Sequence, residues 1–317
     1  MKKSIENIIK EKVLVLDGAM ATMLQKYNTK SRDFHGERFA NHPVDLSGFN
    51  EILNFTKPER IKDVHEKYLR AKADIISTNT FRANKIELKK YQLDDLAYEL
   101  NYTAATLARE NATKYTNITR DKPRYVAGVI GPISSKEATL DEMEEAYSEQ
   151  IKGLMAGKVD VILLETIYEE DNIKAALLAL EAILKKRRKN FPIIISGAAI
   201  EGQAPIVTSE MIKKYTTIVH HVRILAIGMN CGNGPEPMLD KLKNISYTAP
   251  FNIVAYPSAG IPNEDGKIDA DLDYLVEQAK KYLEKDLVNI IGGCCGTTPE
   301  YITKLNKLAR DTKPRKF

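Results

Sequence analysis

The chain has three cysteines, Cys231, Cys294 and Cys295. Cys231 stands in Gly228-Met229-Asn230-Cys231-Gly232, and the other two in Gly292-Gly293-Cys294-Cys295-Gly296-Thr297-Thr298-Pro299. Each group follows a short apolar run, Ile224–Ile227 and Leu287–Ile291, so each reads as the carboxyl end of a buried strand where a loop begins. Strand ends lying side by side would bring three thiolates to one point. Three protein ligands are what a catalytic zinc takes when its fourth position is kept for substrate, and an all-sulfur shell favours zinc over magnesium or calcium. The plainer alternative is that the thiols are small buried hydrophobes. The spacing is not that of a zinc finger, and an odd number of thiols suits a disulfide framework poorly.

The rest of the chain indicates what positions these residues. Eight short apolar or β-branched runs recur: Val13–Leu16, Asp74–Ser77, Tyr125–Ile130, Val161–Leu164, Ile193–Ser196, Leu225–Met229, Asn252–Ala255 and Val288–Ile291. Continuous runs of this kind suit strands buried on both faces. Amphipathic segments lie between them, such as Ile61, Val64, His65, Tyr68, Leu69 and Ala73. Strand–helix alternation repeated eight times predicts a single (β/α)8 TIM barrel over 1–317, with a short N-terminal helix and a loose tail at Thr312–Phe317. A doubly wound open sheet is the alternative, though it usually has fewer strands.

In a barrel of this kind the active site lies at the C-terminal ends of the strands. After the runs come Asp17-Gly18-Ala19, Thr78-Asn79-Thr80-Phe81, Gly131-Pro132, Glu165-Thr166, Asn230-Cys231 and Tyr256-Pro257-Ser258-Ala259-Gly260. One acid at a strand end can be a simple cap, but Asp17 and Glu165 on one barrel face suit a cationic group of a ligand. Gly292, Gly293 and Gly296 would free the backbone so that adjacent Cys294 and Cys295 can aim the same way. A phosphate-binding loop is the other use of such glycines.

Composition narrows the function classes. The net charge of +4 on 317 residues is too small for a dedicated nucleic-acid surface. No apolar stretch approaches the roughly 20 residues that span a bilayer, and the start has no signal-peptide core, so a cytoplasmic protein with reduced thiols and no membrane partner is expected.

At these motifs the chain resembles the homocysteine methyltransferase family, most closely the homocysteine-binding module of cobalamin-dependent methionine synthase. The resemblance rests on Leu16-Asp17-Gly18-Ala19-Met20, His35-Gly36-Glu37-Arg38-Phe39, Ala73–Ile76 with Thr78–Phe81, Gly131-Pro132, Leu164-Glu165-Thr166, Asn230-Cys231 and Asn289–Pro299, in order along nearly the whole chain. It implies a zinc-containing (β/α)8 barrel in which Cys231, Cys294 and Cys295 hold Zn(2+). It further implies that Asp17 and Glu165 face the amino group of homocysteine and that the Gly18–Ala19 backbone meets its carboxylate. Asn79, Thr80, Asn230 and Ser258 would belong to the same pocket. Where methionine synthases commonly have Pro-Asn-Ala-Gly, this chain has Pro257-Ser258-Ala259-Gly260, which alters a side chain able to ligate zinc before substrate arrives. The loop after Gly131-Pro132 is much shorter than in those members, and the usual Ser-Gly-Gln-Thr is missing from Ser196–Pro205.

The chemistry agrees with the residue types. Only a thiolate is a competent nucleophile, and a coordinating metal deprotonates a bound thiol. Three cysteine thiolates leave the centre with net negative charge, so a fourth sulfur stays electron-rich enough to attack a methyl carbon. The reaction expected is methionine formation from homocysteine. The donor expected is a methyl-corrinoid (methylcobalamin) supplied by a separate protein or by another module of a longer chain. S-methylmethionine or S-adenosylmethionine is the alternative donor, and a non-catalytic zinc or thiol carrier the alternative class. Betaine is disfavoured, because quaternary ammonium sites use aromatic cages walled best by tryptophan and the chain has none. Asp63-Val64-His65 begins like a corrinoid-binding Asp-x-His-x-x-Gly, but Tyr68 occupies the glycine position and helix packing is the better reading.

Overall fold

A computed structural model describes residues 3–199, 207–261, 263, 268 and 271–317. Its eight strands are β1 (Leu14–Val15), β2 (Ile75–Ser77), β3 (Tyr125–Ile130), β4 (Val161–Ile167), β5 (Phe191–Ala198), β6 (Val222–Cys231), β7 (Asn252–Pro257) and β8 (Ile290–Ile291). All neighbouring pairs are parallel, in the order β1-β8-β7-β6-β5-β4-β3-β2. A bridge between Leu16 and Ile75 joins β1 to β2 and closes the ring. The fold is a (β/α)8 barrel. No helix among the described residues is long and apolar enough to cross a membrane.

Alternation along the strands divides the apolar residues into two cores. Leu14, Leu16, Ile75, Tyr125, Ala127, Val129, Val161, Leu163, Ile194, Val254 and Ile290 fill the barrel interior. Residues of the opposite parity, such as Val126, Ile162, Leu164, Ile193 and Ile195, pack outward against the helices. Each strand thus carries an inward layer that continues, at its carboxyl end, into the mouth of the barrel. Ile5, Ile8 and Ile9, from the N-terminal helix (Ile5–Ile8) and the residue after it, join the inner core and plug the opposite end.

The C-terminal tail is anchored at Arg315. The Arg315 guanidinium is 8% exposed and donates to the carbonyls of Phe251, Ala249 and Ser246, while the Arg315 carbonyl accepts from Asn289 Nδ2 at 2.9 Å. A cation buried among carbonyls ties the tail across the segment before β7.

Candidate metal centre

β6 ends at Cys231, and the chain leaves β8 three residues before Cys294. Cys231 takes φ +59°, a left-handed conformation uncommon outside glycine. The Cys294 N–H donates to Pro257 O at 2.8 Å, and Thr297 closes the loop by donating its N–H and its hydroxyl to Cys294 O at 3.0 and 2.6 Å. Cys294 and Cys295 therefore lie in a tight turn, where side chains do not alternate as on a strand. Of the flanking glycines only Gly296 has positive φ, at +79°. Gly293 is required for a different reason: a Cβ there would lie 2.4 Å from Thr297 Oγ1.

The three sulfurs stand 3.0 Å (Cys231–Cys294), 3.6 Å (Cys231–Cys295) and 3.9 Å (Cys294–Cys295) apart. Tetrahedral zinc with Zn–S near 2.3 Å sets its sulfurs about 3.8 Å apart; the two separations from Cys295 match that edge, and the Cys231–Cys294 pair would open by several tenths of an ångström to take the ion. Among the described residues it is the one group of three or more His, Cys, Asp or Glu side chains with ligand spacing. Packed sulfur against sulfur, the thiols cannot all ionise without a cation. Their mutual hydrogen bonds hold the Cys295 thiol down as the shared thiolate and, with the charge that results, Cys294 and Cys231 up. Cys295 is exposed and the other two are half-buried, so one side of the tripod is open.

Two carboxyls share the mouth. Asp17 is buried, with Oδ2 accepting from the Ser77 N–H at 2.8 Å and Oδ1 from the Ser77 hydroxyl at 2.9 Å. Burial pushes its pKa up to about 7 despite those bonds. Glu165 is likewise raised to about 7, by burial first and then by the charges of Asp17 and Cys295. Neither carboxyl has an ion-pair partner among the described residues.

The other residues expected at the pocket are engaged as follows. Asn79 Nδ2 donates to Asn50 O at 2.8 Å, and its carbonyl accepts from Asn54 Nδ2 at the same distance, so it braces the 50–54 segment. Thr80 is fully buried, its hydroxyl bonded to Val129 O and Thr78 Oγ1. The Asn230 amide is fully buried and engaged on both its oxygen and its nitrogen. The Ser258 hydroxyl donates to the carbonyls of Gly232 and Gly260, which anchors the Cys231 loop. The Gly18–Ala19 backbone is at the mouth, with the Ala19 N–H 3.4 Å from Thr297 Oγ1 and Ala19 O accepting from Tyr68. Residues 200–205 of the departing Ser196–Pro205 stretch lie outside the described residues. His65 is fully buried in its helix, and Asp63 pairs with Lys67, so the corrinoid-like triplet is packing.

Several contributors were not expected from the motifs. Ser77 holds Asp17, and Thr297 links the cysteine turn to Ala19. Tyr68 donates toward Ala19 O and Thr297 O. The Tyr256 hydroxyl is buried beside Glu165 and Ser196. The signal for Ser196 and Tyr256 is strand parity: Ile194 and Val254 point inward, and so does the residue two further on.

Residues 14–309 match the family described as homocysteine S-methyltransferase. Among solved structures, the chain is similar to the homocysteine methyltransferase MmuM from Escherichia coli. The oxidized form aligns with TM-score 0.72 at 21% identity, over 95% of this chain and 97% of that one. The metallated form aligns with TM-score 0.72 at 20% identity, over 96% and 98%.

Proposed function

Because the chain belongs to the homocysteine S-methyltransferase family, we propose that it moves a methyl group onto the sulfur of homocysteine, making methionine, at a zinc site of Cys231, Cys294 and Cys295. The observation that carries this reading is the pairing, at one barrel mouth, of an open sulfur tripod with two carboxyls, Asp17 buried and Glu165 half-buried, that have no cation among the described residues. A ligand with a thiol at one end and an ammonium at the other satisfies both.

Asp17 and Glu165 take the ammonium. Their raised pKa values mean that each is readily protonated when the mouth is empty and ionises when a cation arrives. Ser77 fixes both oxygens of Asp17, so it meets the ligand already oriented. The backbone at Gly18–Ala19 receives the carboxylate at the start of the Met20–Gln25 helix. Zinc, when bound by the cysteines, supplies the positive charge that keeps the substrate sulfur deprotonated and nucleophilic. The thiol proton leaves to solvent, and the protein's part is to hold the sulfur in line with the donor methyl group.

The donor is a methyl-corrinoid carried on a separate protein or module. A second reading rests on charge: zinc leaves three thiolates net negative and one ammonium leaves two carboxylates net negative, which favours a positively charged donor, a sulfonium such as S-methylmethionine or S-adenosylmethionine. Pairing homocysteine in turn with methylcobalamin, S-methylmethionine, S-adenosylmethionine and betaine, with methionine as the readout, separates the two. Metal analysis should find about one zinc per chain, and homocysteine binding should release close to one proton below the pKa of the free thiol. Homocysteine that fails to bind the zinc-loaded protein overturns the acceptor. Proton release with turnover of none of the small donors points to a corrinoid protein.

A further inference from the structure

Asn230 was expected to touch substrate, but its amide joins four parts of the barrel mouth. Oδ1 accepts from the Thr166 N–H at 3.0 Å and from the Ser196 hydroxyl at 2.7 Å. Nδ2 donates to Thr166 Oγ1 at 2.7 Å and points at Cys294 Sγ, 3.9 Å away. Both polar groups of Thr166 are thus bound by one side chain.

Thr166 needs such a restraint. It has φ +58°, where a β-branched residue is strongly disfavoured. It also sits where the register of β4 on β5 slips: Leu164 pairs with Ile195, but Ile167 pairs with Gly197. Three steps on β4 oppose two on β5, which defines a β-bulge made of Glu165 and Thr166. Leu164 and Ile167 on either side both face the outer core, so the bulge breaks the strand's alternation at Glu165. Bulges beside active sites re-aim a side chain in this way.

We infer that Asn230 is a positioning residue: by clamping Thr166 in its left-handed conformation it holds the bulge that aims Glu165 at the substrate ammonium, and it ties that aim to the cysteine turn through Cys294. The inference rests on the homocysteine reading. Asn230 itself meets no ligand. It sits between the residue that recognises the amino end and the residue, Cys231, that begins the sulfur tripod.

The test compares homocysteine with 4-mercaptobutyrate, the same thiol acid without its amino group, titrated into zinc-loaded protein. Wild type should strongly prefer homocysteine. Asn230→Ala should lose about tenfold or more of that preference, as expected when a charged hydrogen bond is misaimed, while 4-mercaptobutyrate affinity and zinc content stay near wild type. Adding Thr166→Gly to Asn230→Ala should recover much of the preference, because glycine adopts positive φ without a clamp. Should Asn230→Ala not fold, Ser196→Ala removes one bond of the same clamp without altering β6 and is read in the same way, with a smaller loss expected. A folded variant that keeps the full preference, or one that loses zinc and both ligands together, overturns the inference. Wild type that binds neither thiol, or shows no preference between them, overturns the homocysteine reading instead.

Discussion

Asp17 and Asp74 make the same backbone connection at opposite ends of the barrel. The Asp17 N–H donates to Ile75 O after β1, and the Asp74 N–H donates to Val15 O before β2, so each joins these two strands. Both side chains are buried. Asp74 is neutralised by the protein itself, by Lys12 at 2.6 Å and Lys122 at 3.1 Å, with the Val15 N–H on its other oxygen at 2.9 Å. Among the described residues, the Asp17 carboxylate has only Ser77. Asp74 is given its cations from within the chain, while Asp17 is given hydrogen bonds that orient it and, among the described residues, no opposite charge, as the proposed ammonium site requires.

The largest expected effect tests the lower half of that contrast. Asp74→Ala should lower unfolding free energy by about 3–5 kcal/mol, because it leaves two lysines and a buried N–H without their partner. Urea denaturation measures it. Homocysteine affinity of the folded fraction should not change. A loss below 1 kcal/mol would mean that Asp74 and Asp17 do not differ as described.

Asp17→Asn should act the other way. Homocysteine binding should weaken by about 1.5–3 kcal/mol with zinc content intact, as seen by calorimetric titration. Stability of the empty protein should become less dependent on pH. The folded pKa of Asp17 is raised to about 7 from the ordinary 3.8, so the folded state binds more protons between those values. The resulting stability is fully present below pH 3.8 and is lost as pH rises through about 7. Wild type should therefore lose more stability from pH 5 to pH 8 than Asp17→Asn does. Equal losses would show that the carboxyl pays nothing for its burial.

Arg315→Met tests whether the lower end is held by its own polar groups. Removing a guanidinium that serves three carbonyls should lower stability by roughly 1–3 kcal/mol without affecting ligand binding. The smallest effect is expected at Ser258→Ala. Its hydroxyl is taken up by the carbonyls of Gly232 and Gly260, so zinc content should stay at the wild-type level by elemental analysis. Loss of zinc there would make Ser258 part of the centre.

The barrel was legible because its strands are buried on both faces and so appear as unbroken apolar runs. Their carboxyl ends were not: β4 continues to Ile167, β5 to Ala198 and β6 through Cys231. The hydrophobic signal stops at the first polar residue, while the backbone ladder continues into the site. Cysteine chemistry made the tripod readable, and two acids on one face made Asp17 and Glu165 readable. Thr166 was not, since no local preference places a β-branched residue at positive φ; the clamp comes from Asn230, 64 residues away. The partner of Thr80 was not legible either, since its hydroxyl bonds the carbonyl of Val129, 49 residues later on the adjacent strand. The tail was misread for a similar reason: the acceptors of Arg315 lie 64 to 69 residues earlier.

The Lys3 carbonyl accepts from Tyr125 at the entry of β3, and Arg315 sits under the entry of β7, so both described chain ends lie on the face opposite the cysteines. A fluorophore, a fused reporter or a solid support joined at either end would leave the catalytic rim turned toward solution. The orientation of an immobilised layer of this protein would thus be set by attachment chemistry alone.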